Sequence, residues 1–145
     1  MFSPDFKEFI KLLIEHKVEY LIVGGYAVVA YGHPRYTGDL DIWLKRNPEN
    51  AALILKALHA FGFSSIDLKE EDFTLKGNVI QLGYPPLRID LLTEIDGVNF
   101  TKCYENKKQI EVDNLLVNFI SLEDLLKNKM ASGRLTDLDD IDHLK

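Results

Sequence analysis

A single cysteine, Cys103, stands in the 145 residues, which excludes an internal disulfide and a thiolate zinc site. The four histidines, His16, His33, His59 and His143, are scattered, and no two of them share the i, i+4 spacing of a helical metal pair. Any metal is therefore expected to be a hard cation held by oxygen. No apolar run approaches the ~20 residues of a membrane-spanning helix. The opening Met1-Phe2-Ser3-Pro4-Asp5 has neither the basic start nor the cleavage site of a signal peptide, so a cytoplasmic protein with no membrane partner is expected. Positive charge is also short: 17 Lys and Arg against 23 Asp and Glu leave a net charge of −6. Broad nucleic-acid binding needs clustered cations to neutralise phosphates, so an RNA end would have to enter a local basic pocket. Repeats, linkers and low-complexity segments are absent, as are a Gly-Lys-Ser/Thr phosphate loop and a dinucleotide fingerprint. At 46% hydrophobic and 28% charged residues, the composition is that of one globular domain, 1–145, able to bury its own core.

What is present is a series of short, well-punctuated segments. Ser3-Pro4 reads as cap and first position of a helix whose apolar stripe is Phe6, Phe9, Ile10, Leu13 and Ile14. Tyr20 to Val23 reads as a strand stopped by Gly24-Gly25, followed by a short helix from Tyr26 to Tyr31 and a polar loop to Gly38. Asp39 to Leu44 is a second strand, and Asn47-Pro48 opens a helix with a stripe of Ala51, Ile54, Leu55 and Leu58, ended by Gly62. Phe63 to Ile66, Phe73 to Leu75 and Val79 to Leu82 read as further strands, and Leu87 to Leu92 follows Pro85-Pro86 as another. Asp96-Gly97 and Asp113-Asn114 read as hairpin turns. Ser121 and Asp124 cap a helix to about Met130, closed by Gly133, and Thr136 with Asp139 caps a last one. The order predicts an α+β domain with one mixed sheet.

Two strands carry the chemistry. In Asp39-Leu40-Asp41-Ile42-Trp43-Leu44, period-two alternation puts Leu40, Ile42 and Leu44 on one face and Asp39, Asp41 and Trp43 on the other. The two carboxylates start roughly 6.5–7 Å apart, close enough for their oxygens to converge on one cation. In Leu87-Arg88-Ile89-Asp90-Leu91-Leu92 the apolar 87, 89 and 91 share one face, and Arg88 and Asp90 the other. If these strands are neighbours, three carboxylates meet; their mutual repulsion would be offset by two Mg²⁺ ions clamping a phosphoryl displacement. A D-x-D also occurs in phosphohydrolases, but Trp43 stands where the haloacid-dehalogenase type has Thr or Val.

Gly24-Gly25 lets backbone approach a ligand at a helix start. On the helix after Ser121 the stripe is Leu122, Leu125, Leu126 and Met130, and Lys129 falls in its middle. A lysine there either snorkels outward or meets an acidic or phosphate partner. Arg35, Arg88 and Arg134 are further candidates for phosphate, with a carboxylate ion pair the alternative for Arg88.

The ordered set Gly24-Gly25, Arg35-Tyr-Thr37-Gly-Asp39-Leu-Asp41, Pro86-Leu-Arg88-Ile-Asp90 and Lys129-Met-Ala-Ser-Gly133-Arg134-Leu-Thr-Asp137 resembles the DNA polymerase β-like nucleotidyltransferase superfamily. Within it, the set is similar to small bacterial members akin to those of abortive-infection toxin–antitoxin systems. The resemblance implies a mixed sheet with helices mainly on one face. It implies Asp39 and Asp41 as ligands of Mg²⁺ or Mn²⁺, and Asp90 as third carboxylate and base. Gly24, Gly25, Arg35, Thr37 and Lys129 would hold a nucleoside triphosphate. The implied activity is transfer of a nucleoside monophosphate to an RNA 3′ end, a protein hydroxyl or a small molecule. A non-catalytic module that binds an antitoxin or regulatory partner is the alternative. One departure stands out: many relatives have Gly-Ser, whose hydroxyl binds phosphate, where this chain has Gly25. No separate acceptor-binding domain is expected in so short a chain.

Overall fold

Ser3 Oγ accepts the Phe6 N–H at 3.2 Å and Pro4 takes the first helical position, which starts α1 (Pro4–Glu15) where the sequence places it. The computed structural model describes residues 1–63, 67–84 and 87–144. The chain continues through β1 (Tyr20–Val23), α2 (Gly24–Ala30), β2 (Asp39–Leu44) and α3 (Pro48–Phe61). A 3-10 turn (Glu70–Phe73), β3 (Val79–Tyr84), β4 (Leu87–Leu92) and α4 (Phe100–Glu105) follow. Then come β5 (Lys108–Val112), β6 (Leu115–Phe119), α5 (Leu122–Ser132) and α6 (Leu135–Leu144). The six strands form one sheet in the order β3-β4-β2-β1-β6-β5. β2 runs parallel to β4 and β1 parallel to β6, while the remaining pairs are antiparallel, so the sheet is mixed as expected.

The expected apolar face of β2, Leu40, Ile42 and Leu44, is wholly buried in one core with Phe6, Phe9, Ile10 and Leu13 of α1 and Ala51, Ile54 and Leu58 of α3. In α1 Leu12 joins the stripe and Ile14 does not, and in α3 Ala57 is buried where Leu55 is only half-buried. The β5–β6 hairpin turns through Asp113 and Asn114, both at positive φ (51° and 69°), the geometry that two-residue hairpins favour.

Several expectations are corrected. Phe73 to Leu75 is not a strand: Phe73 is buried at the end of the 3-10 turn, which the Asp72 carboxylate caps by accepting the Lys69 N–H at 2.8 Å. Residues 64–66, most of the strand expected from Phe63, and Pro85-Pro86 lie outside the described residues. Asp96-Gly97 leads into α4 rather than a hairpin, with the Asn99 side chain capping Lys102 N. That helix puts Phe100 edge-on against Trp43 at 5.0 Å, so Trp43 is buried and the second face of β2 is open only at its aspartate end. Leu87, at the start of β4, and Met130 are exposed rather than in the core. Thr136 lies inside α6 and does not cap it.

One buried polar side chain fixes the far end of β2. The Asn50 amide donates to Glu19 O (3.0 Å) and Lys45 O (2.9 Å), and its oxygen accepts Glu19 N–H at 2.8 Å. Asn50→Ala takes the side-chain partner from Glu19 N–H and Lys45 O, while Glu19 O keeps the Lys45 N–H at 3.2 Å, and is expected to cost about 2–4 kcal/mol. Urea unfolding checks this; a loss below about 0.5 kcal/mol would mean that water replaces the amide.

Candidate active site

Parallel pairing sets Asp41 opposite Asp90 and Asp39 opposite Arg88. The three carboxylates thus come together: the alternation assigns their faces, and the β2–β4 pairing supplies the neighbourhood on which their meeting was conditional. Arg88 lies among them: its Nε donates to Asp90 Oδ1 at 2.8 Å, and one terminal nitrogen donates to Asp90 Oδ2 (3.1 Å) and Asp39 Oδ2 (3.0 Å). Those acceptors raise the Arg88 pKa, Asp90 through its hydrogen bonds most of all. Asp41 receives no hydrogen bond from Arg88. Burial, then the adjacent Asp90 charge and a hydrogen bond shared with it, push Asp41 up to about 7.

The glycine turn closes against this cluster. Gly24 has φ +66°, and a Cβ there would collide with Asp41 Oδ2. At Gly25 the place of a Cβ is already taken, with Thr37 Oγ1 2.5 Å and an Arg35 terminal nitrogen 3.3 Å from it. The Thr37 hydroxyl thus occupies the space that a side chain at position 25 would need. A cavity of about 310 Å³ opens here, lined by Gly24, Gly25, Arg35, Thr37, Asp39, Asp41 and Lys129 together with Tyr36, Arg134 and Asp137. Of the predicted residues Asp90 is not on its wall, and neither is Arg88, the phosphate candidate that instead forms the carboxylate ion pair; Asp90 reaches the site through Asp41. A larger cavity of about 550 Å³ lies by Trp43 and Phe100 and contains none of the predicted residues.

Lys129 is buried, and its partners are acids on α6. Its Nζ lies 2.9 Å from Asp137 Oδ1 and 3.0 Å from Asp140 Oδ2. Burial alone would raise the Asp137 pKa, but hydrogen bonds from Ser132, Arg134 and Lys129 outweigh it and hold the carboxyl at about 2. Asp140, fully buried, also faces Arg35 Nε at 3.3 Å. Asp137 and Asp140 had no assigned role in the sequence; the signal for them was the lysine in an apolar stripe, with acids spaced three apart on the next helix. Cys103 is buried, and burial with the nearby Asp124 pushes its thiol up to about 12, so it is no nucleophile.

Three carboxylates against one guanidinium leave excess negative charge, which adds to burial in raising the Asp41 pKa. An all-oxygen donor set with that excess fits a hard divalent cation. The arrangement can therefore present a cation, a bare backbone turn and arginines to a phosphate chain.

Residues 5–144 match the model of a family described as "Nucleotidyltransferase of unknown function (DUF6036)". No curated protein matches the sequence. Among the solved structures that match is that of a Thermotoga maritima protein assigned provisionally as a nucleotidyltransferase. It superposes with a TM-score of 0.63 at 18% identity, over 99% of this chain and 94% of that one. At that identity the likeness speaks for the fold.

Two outcomes follow from the charges. An acid whose folded pKa is raised binds its proton more tightly when folded, so without divalent cations stability falls as pH rises from about 4, the unfolded value, to about 7. Asp41→Asn should remove that fall, of roughly 1–3 kcal/mol, in melts taken across this range; an identical pH profile for both proteins would refute it. Lys129→Met removes the buried cation shared by two buried carboxylates, leaving Asp137 to Arg134 and Ser132 and Asp140 to Arg35, and should cost about 3–5 kcal/mol in denaturant unfolding.

Proposed function

We propose, from the premise that the chain belongs to this nucleotidyltransferase family, that it moves a nucleoside monophosphate from a nucleoside triphosphate to an acceptor hydroxyl, whose oxygen bonds the α-phosphorus as the α–β bridge breaks and pyrophosphate leaves. Asp39, Asp41 and Asp90 would hold Mg²⁺ or Mn²⁺. The observation that carries this reading is the in-register pairing of Asp41 with Asp90 beside a glycine turn that opens on a cavity.

Gly24 and Gly25 would bring backbone N–H groups against the triphosphate. Arg35 and Arg134 turn Nε toward Asp140 and Asp137, leaving their terminal nitrogens for phosphate oxygens on the cavity wall. Thr37 would add the hydroxyl that relatives carry on the glycine turn. Arg88 orients Asp90, whose carboxylate would accept the proton of the attacking hydroxyl. A bound divalent cation would neutralise charge developing on the phosphoryl oxygens and align the in-line displacement. The acceptor is an RNA 3′ end, a protein hydroxyl or a small molecule.

One observation favours a second reading. Arg88 already spans Asp39 and Asp90, as it would in a partner-binding module, for example one facing an antitoxin, that has no turnover. Calorimetry with Mg²⁺ and each triphosphate separates the two, since heat for a nucleotide supports the enzyme and none for any supports the module.

Asp41→Asn should keep the fold, by circular dichroism, and lose at least roughly 100-fold in transfer of label from triphosphate to cellular RNA or protein. Retention of full transfer would overturn the mechanism.

A further inference from the structure

Beyond the Lys129 network, a second group of metal-ligating side chains joins α6 to the loop after α2. His33 follows that helix with its backbone N–H on Val28 O at 3.2 Å, and its side chain is 12% exposed. Asp139 and His143 lie one turn apart on α6. The two imidazoles stack with centroids 4.0 Å apart and 15° between planes. Asp139 reaches both rings, at 3.9 Å from His33 Nε2 and 3.7 Å from His143 Nδ1. One donor atom from each of the three lies within 4.8 Å of the others.

The charges single out Asp139. Its neighbour Asp137 is matched by Lys129 and Arg134, and the fully buried Asp140 by Lys129, Arg35 and His33, whose Nε2 lies 3.5 Å from Asp140 Oδ1. Among the described residues, Asp139 has only the two imidazoles as ionic partners. Two imidazole nitrogens and a carboxylate oxygen form a donor set that zinc takes in open sites. We propose that His33, Asp139 and His143 bind a borderline divalent cation such as Zn²⁺, apart from the all-oxygen carboxylate site at Asp41. Bond lengths of 2.0–2.2 Å ask the three donors to draw in by roughly 1.5 Å. His143, about half exposed in the last turn of α6, can supply that by tilting out of the stack. The cation would then tie α6 to the segment that carries Arg35 into the nucleotide cavity. This site does not depend on the proposed transferase activity.

The test uses the metal-free full chain with Asp41→Asn, which disables the carboxylate site, titrated with Zn²⁺ and with Co²⁺. Expected are one Zn²⁺ per chain at micromolar or tighter affinity, a tetrahedral Co²⁺ absorption band and a raised melting temperature, none of them mimicked by Mg²⁺. His143→Ala and Asp139→Asn, both at exposed positions, should each weaken Zn²⁺ at least tenfold while keeping the fold. Absence of stoichiometric Zn²⁺ binding, or binding unchanged in both variants, overturns the proposal.

Discussion

Parallel pairing of β2 with β4 holds two like charges, Asp41 and Asp90, at one register position, and much of the molecule around them answers to that repulsion. Arg88 neutralises from the Asp90 and Asp39 side, while burial and the adjacent Asp90 together let Asp41 keep its proton to near neutrality. Gly24 cannot carry a side chain because Asp41 fills the space where one would go. Carboxylates this crowded are unfavourable for stability alone, so their placement at one point of the sheet points to chemistry rather than packing.

A second layer of charge lies behind the first. Lys129, Asp137 and Asp140 are all buried, a composition that an apolar replacement could match for stability. What the ions add is direction: Asp140 engages Lys129 and Arg35, and so joins α5, α6 and the loop after α2 around one carboxylate. That loop also brings Thr37 against Gly25. The cavity is thus shaped by elements far apart in the chain, each held by a charge with a named partner.

The parts of this arrangement that repeat along the sequence were legible. Period-two alternation displayed both acidic faces, Ser3, Asn47 and Ser121 marked helix starts, and Asp113-Asn114 marked a hairpin. Neighbourhood was not legible, because alternation assigns a face but never says which strand lies beside it; the pairing of β2 with β4 had to be assumed. Phe100–Glu105 is too short to show helical periodicity, so α4 and its cover over Trp43 were missed. Phe73 looked like a strand residue because one buried aromatic in a charged stretch has no period at all. Lys129 was the informative anomaly: its place in the stripe was visible, but its partners only follow from how α6 folds back on α5. Met130, its apolar neighbour, is the residue left outside.

The Lys129 cluster also orders events during synthesis. Strands β2 and β4 leave the ribosome before α5, and the acids that neutralise Lys129 come later still, at residues 137 and 140. Until those residues emerge, the nascent chain has a lysine that cannot be buried and a cavity wall that cannot close. Assembly of the cavity beside Gly24 and Asp41 therefore waits for residues 137 and 140.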